Sequence, residues 1–70
     1  MATQKHLYIT GISNTSWKDA TLQAIKEVSK SINYISSIKV IEQRANILNN
    51  QILDYIVDID LTFTVDENRK

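Results

Sequence analysis

Cysteine is absent from this chain, and glycine and histidine each occur once. Without cysteine there is neither a disulfide nor a thiolate zinc site, and nothing is implied about redox compartment. One glycine cannot build a Gly-rich phosphate loop. The single histidine, His6, cannot supply a multi-histidine metal site. A nucleophile–base pair would have to join Ser or Thr to His6 or a lysine, and no motif marks one. An excess of one charge sign is missing too: eight basic and eight acidic residues give zero formal net charge. That argues against a dedicated nucleic-acid binder, which needs a basic footprint. No apolar run approaches membrane-spanning length, and the first residues lack the basic-then-apolar signal pattern. The expectation is a soluble cytoplasmic protein, not an enzyme, without nucleic-acid or membrane partners.

What is present is a single short domain, residues 1–70, with 1–4 and 66–70 expected to be loose ends. A chain of this size buries only about 60% of the surface its unfolded form exposes. Small domains offset that deficit with disulfides, a structural metal or oligomerisation. Disulfides are excluded here and a multi-histidine or thiolate site is not available, so self-association is expected.

The hydrophobic pattern orders the chain as β-α-β-β. Lys5 to Thr10 is rich in β-branched and aromatic residues and predicts a strand with Leu7 and Ile9 on its dry face, ended by Gly11. Ser13-Asn14-Thr15-Ser16 is a loop, and Ser16 with Asp19 three residues on fits a capping box. From Trp17 to about Asn33 the apolar spacing is helical, with Trp17, Ala20, Ala24, Ile25, Val28 and Ile32 on one stripe. Leu22 projects away from that stripe, as a scattered surface leucine or a subunit contact. A second strand runs from Ile35 to about Asn46, with Ile38, Val40, Glu42 and Arg44 on one face and Lys39, Ile41 and Gln43 on the other. Asn49-Asn50-Gln51 is a turn cluster, since Asn tolerates positive φ, and it closes a hairpin.

The last strand carries the clearest signal. Leu53, Tyr55, Val57, Ile59, Leu61, Phe63 and Val65 alternate with Ile52, Asp54, Ile56, Asp58, Asp60, Thr62 and Thr64, the period-two pattern of a strand with one dry and one mixed face. The fold class expected is α+β: a three-stranded antiparallel sheet wrapped around one helix on its dry face. A lone chain would then expose Ile52 and Ile56 on the mixed face. Asp54, Asp58 and Asp60 share that face. Hard divalent cations such as calcium or magnesium take oxygen ligands, so Asp58 and Asp60 are candidate metal ligands where symmetry brings copies together. The simpler reading is a solvated face whose carboxylates are neutralised by Lys39 or Arg44 from the neighbouring strand.

Several segments together resemble the dodecins. They are Gly11, Thr15-Ser16-Trp17-Lys18-Asp19-Ala20, Ala24-Ile25, Ser29-Lys30, Val40-Ile41-Glu42-Gln43-Arg44, and the final strand from Tyr55-x-Val57 through Phe63. The match spans nearly all of residues 7–67 in the same element order. The resemblance implies a hollow homododecamer that binds and stores flavin, FMN or riboflavin, in pockets between subunits. It also implies that a tryptophan opening the second strand stacks on the flavin ring and a glutamine in the third hydrogen-bonds its edge. Those two positions are Ser37 and Ile56 here, with Ile38 beside the first, and Thr64 replaces a basic residue common after Phe63. Arg44 persists, where relatives can meet a phosphate-bearing part of the ligand. Losing the stack removes about 1–3 kcal/mol, by analogy with nucleobases. Losing the hydrogen bond removes about 1–3 kcal/mol more. The expectation is flavin affinity weakened by roughly two to four orders of magnitude. The alternative is a non-flavin structural shell or a cation-binding oligomer using the acidic sheet face.

Overall fold

The computed structural model describes residues 2–66. The elements are β1 (Ala2–Ser13), α1 (Trp17–Val28), β2 (Ile35–Leu48) and β3 (Gln51–Asp66). They form the expected α+β arrangement: a three-stranded antiparallel sheet with β3 in the middle, in the order β1-β3-β2, and one helix against it. No helix among the described residues is long and apolar enough to cross a membrane.

The strands run longer than their hydrophobic signal. Thr3 and Gln4, expected to be loose, pair with Val65 and Thr64, and Asp66 still belongs to β3. Met1 and residues 67–70 lie outside the described residues. Gly11 does not end β1 but sits within it opposite Val57. Its role is close approach: a Cβ there would lie 2.3 Å from the Ala20 carbonyl oxygen and 3.0 Å from the Ala24 Cβ. The hairpin between β2 and β3 turns on Asn49 and Asn50, with φ of 53° and 64°. Two consecutive left-handed residues match the twist of the flanking strands, and asparagine is among the few side chains that accept them.

Helix α1 begins as its capping residues require. The Ser16 side chain accepts a hydrogen bond from the Asp19 amide at 2.9 Å, satisfying one of the orphan donors of the first turn. Asp19 does not close the capping box back onto Ser16; its carboxylate accepts from the Ser13 hydroxyl instead. The helix ends at Val28, not near Asn33. Ser29 turns its hydroxyl back on the Ile25 carbonyl at 2.7 Å, and the Lys30 and Ser31 amides bond three residues back, to Glu27 and Val28. A tightened last turn with serine side chains competing for backbone groups is a poor template for further helix.

Length then limits the core. A helix of 12 residues is about 18 Å long at ~1.5 Å per residue, against a molecule 53 Å in its longest dimension. It covers β1 and β3 near their centre, where Ala20, Ala24, Val57, Ile59 and Leu61 form the buried cluster. Toward the end of β3 the same face opens, and Val65 is exposed. Among the described residues six hydrophobic side chains are buried, two of them alanines, while twelve large ones are exposed. That imbalance is what a subunit of a larger assembly shows.

Candidate functional site

The sheet face away from the helix carries the candidate residues, and irregularities in β2 decide which of them belong to it. Val40 pairs with Ile59 and Glu42 with Asp58, so Ile41 is an extra residue in the ladder. A bulge of this kind reverses the side-chain phase downstream of it. Glu42 and Arg44, expected beside Ile38 and Val40, therefore lie on the opposite face with Lys39, next to the aspartates of β3. Ile38 faces the helix side, opposite Leu61, and packs against the core. The structure thus places Ser37, Arg44, Ile56, Asp58 and Asp60 on one face and Ile38 on the other.

Ile56 also differs from expectation. It is only 6% exposed in the single chain, while Ile52 is 44% exposed. The register explains the difference: Ile56 lies on the middle strand between Ile12 of β1 and Arg44 of β2, whereas Ile52 pairs only with Ile47 near the hairpin tip. Ser37 is exposed, opposite Thr62. The rows holding Ser37 and Ile56 are six residues apart on β3, about 20 Å at ~3.4 Å per residue. A single small ligand cannot reach both within one chain.

Between those rows lies a ladder of charge that the sequence only partly signals. Arg44 donates from Nε to Asp58 Oδ2 at 3.1 Å and from Nη2 to Asp58 Oδ1 at 3.0 Å, the bidentate fork suited to a carboxylate. Its Nε is also 3.3 Å from Glu42 Oε2. The Thr10 hydroxyl donates to Asp58 Oδ1 at 2.9 Å, so the cluster spans all three strands. Asp60 pairs with His6 Nδ1 at 3.0 Å. Arg44 was foreseeable as a partner for Asp58; Thr10 and His6 follow only from the register of β1, which hydrophobic periodicity does not report. No group of three or more His, Asp or Glu among the described residues is placed to hold a metal.

Hydrogen bonds from Arg44 first, then from Thr10, and the Arg44 charge hold the Asp58 carboxyl below its ordinary value, outweighing desolvation; the same pair raises Arg44. A carboxylate depressed in the folded state stabilises fully above its unfolded value of about 3.9, and that stabilisation is lost as pH falls through the lower folded value. Asp58→Asn is therefore expected to lower the melting temperature between pH 7 and 5, by a salt-sensitive margin because the pair is partly exposed. The gap from wild type should close below about pH 4. A gap independent of pH, measured by scanning calorimetry, would show that the ion pair is not its source.

Trp17 ties the helix to this region from the other side of the sheet. Its Nε1 donates to the Arg44 carbonyl at 2.8 Å, and its ring meets Tyr55 edge-on at 4.8 Å and 82°. Trp17 thus anchors the helix on the sheet and fixes the β2 backbone at the residue that carries the guanidinium.

Comparison with known proteins places this geometry. The family model Dodecin matches residues 3–66. A dodecin from Streptomyces coelicolor superposes with a TM-score of 0.89 at 21% identity, covering 96% of each chain. A Thermus thermophilus protein does so with a TM-score of 0.91 at 20% identity, covering 97% of this chain and all of its own. The calcium-chelating antigen calcium dodecin from Mycobacterium tuberculosis, with a novel calcium-binding site, matches with a TM-score of 0.80 at 25% identity, covering 97% of each. No curated protein matches the chain.

Proposed function

This chain belongs to the dodecin family, and we propose that it is a non-enzymatic, homo-oligomeric small-ligand binding and storage protein. The whole chain acts as one domain, the assembly is a dodecamer, and the ligand is of flavin type, FMN or riboflavin, held between subunits with weakened affinity. The observation that carries this reading is the face bearing Ser37 and Ile56. The resemblance assigns both residues to ligand positions, and their separation of about 20 Å supports a pocket completed by neighbouring subunits. The exposed apolar residues of the hairpin and of β1, among them Ile47, Leu48, Ile52 and Ile12, supply surface for such contacts.

Titrating riboflavin against the purified protein tests it. Saturable quenching of flavin fluorescence in the micromolar range or weaker is expected. No quenching at high micromolar protein would overturn the flavin reading.

The similarity to a calcium-chelating dodecin favours a second reading, a cation-binding shell using Asp58 and Asp60 of several copies. Its weakness is that Asp58 and Asp60 already face Arg44 and His6. A melting temperature that neither calcium nor magnesium moves, in wild type and in Asp60→Asn alike, would remove it.

A further inference from the structure

Arg44 is the one residue at the family's ligand positions that keeps its identity here, and its surroundings set what it can do. Both arms of its fork reach Asp58, and Nε also lies within ion-pair distance of Glu42. Asp58 is in turn held by Thr10 from the far strand. A guanidinium presents a planar array of donors suited to one bidentate acceptor along an edge, and here that edge is taken by a carboxylate of the same chain.

The electrostatic setting acts in the same direction. The face around Arg44 carries Asp54, Asp58, Asp60 and Glu42 against Lys39 and Arg44, four carboxylates to two cations, with His6 paired to Asp60. An incoming phosphate dianion meets a negative field and finds the Nε–Nη2 edge of Arg44 occupied by Asp58, with only Nη1 and the second Nη2 hydrogen left to it. Ile56, the register partner of Arg44, is buried hydrocarbon and gives an anion no polar partner.

We infer that Arg44 is an internally neutralised cation and that this site selects non-phosphorylated ligands, riboflavin over FMN. The inference rests on the proposed ligand role of this face and deepens it. Asp58, through its hold on Arg44, is the positioning residue for that selectivity; its substitution by asparagine keeps the shape and removes the charge that occupies the fork.

The test compares riboflavin and FMN by fluorescence titration, with inorganic pyrophosphate as a third probe read by melting temperature, on the assembled wild type and Asp58→Asn. Wild type is expected to bind FMN no tighter than riboflavin, and Asp58→Asn to raise FMN affinity relative to riboflavin about tenfold, the scale of a charge-assisted hydrogen bond. FMN preferred tenfold by wild type, or a ratio unmoved by Asp58→Asn, overturns the inference. If neither flavin binds, the flavin reading fails by itself, and pyrophosphate still decides this one. A melting temperature unmoved in wild type and raised in Asp58→Asn supports it, and any other pattern overturns it. Should Asp58→Asn not assemble, Glu42→Gln at an exposed position carries the same comparison, with a smaller rise expected in the FMN-to-riboflavin ratio and no rise overturning it.

Discussion

Ser37→Trp is expected to raise riboflavin affinity about 5- to 150-fold, the range that one aromatic stack of about 1–3 kcal/mol supplies. The substitution is chosen because Ser37 is exposed and lies opposite Thr62 on the face away from the helix. An indole there displaces nothing from the core. Ile56→Gln is a different case. Ile56 is buried even in the single chain, so the amide would enter a site built for hydrocarbon, where a polar group left without partners costs about 1–3 kcal/mol. Ile56→Gln alone is expected to lower the melting temperature and to improve riboflavin binding far less than Ser37→Trp. Fluorescence titration of the two variants checks the order. Equal affinity for wild type and Ser37→Trp would mean that Ser37 does not face the ligand.

Gly11→Ala is expected to be the most damaging single-methyl change in the chain. The added Cβ would lie 2.3 Å from the Ala20 carbonyl oxygen, which is helix backbone and cannot rotate aside. Relief requires α1 to lift from the sheet at the place where Ala20 and Ala24 cover Val57, the centre of the small core. Overpacking of this kind costs about 1–3 kcal/mol and occasionally more, and a helix-backbone clash belongs at the upper end. The total margin of a 70-residue domain is about 4–10 kcal/mol, so a large fraction is removed. A fall in melting temperature of about 10–20 °C is expected. A fall of under about 3 °C would show that the helix can shift freely over β1.

The fold was legible because its main signals are local. Period-two alternation from Leu53 to Val65 marks β3, and the apolar stripe from Trp17 marks the helix. Paired asparagines mark the hairpin turn. What was not legible depends on register. The extra residue at Ile41 carries no compositional sign, yet it moves Glu42 and Arg44 to the other face of the sheet. Without that shift Arg44 falls on the helix face with Ile38, away from Asp58, and the pattern gives no sign that the sheet separates Ile38 from Ile56. Thr10 and His6 entered the charge ladder through the pairing of β1 with β3, a long-range contact that no local pattern encodes. In the sequence pattern Gly11 looks like a strand end; its role is a close helix approach visible only in three dimensions.

The proposed function depends on assembly, since one chain cannot bring the Ser37 and Ile56 rows to a common ligand and leaves twelve large hydrophobic side chains exposed among the described residues. Native mass spectrometry of the purified wild-type protein tests this most directly. A particle of about twelve times the 8.0 kDa chain mass is expected, with or without riboflavin. A monomer at 8.0 kDa at micromolar concentration would contradict the inter-subunit site and the storage role built on it.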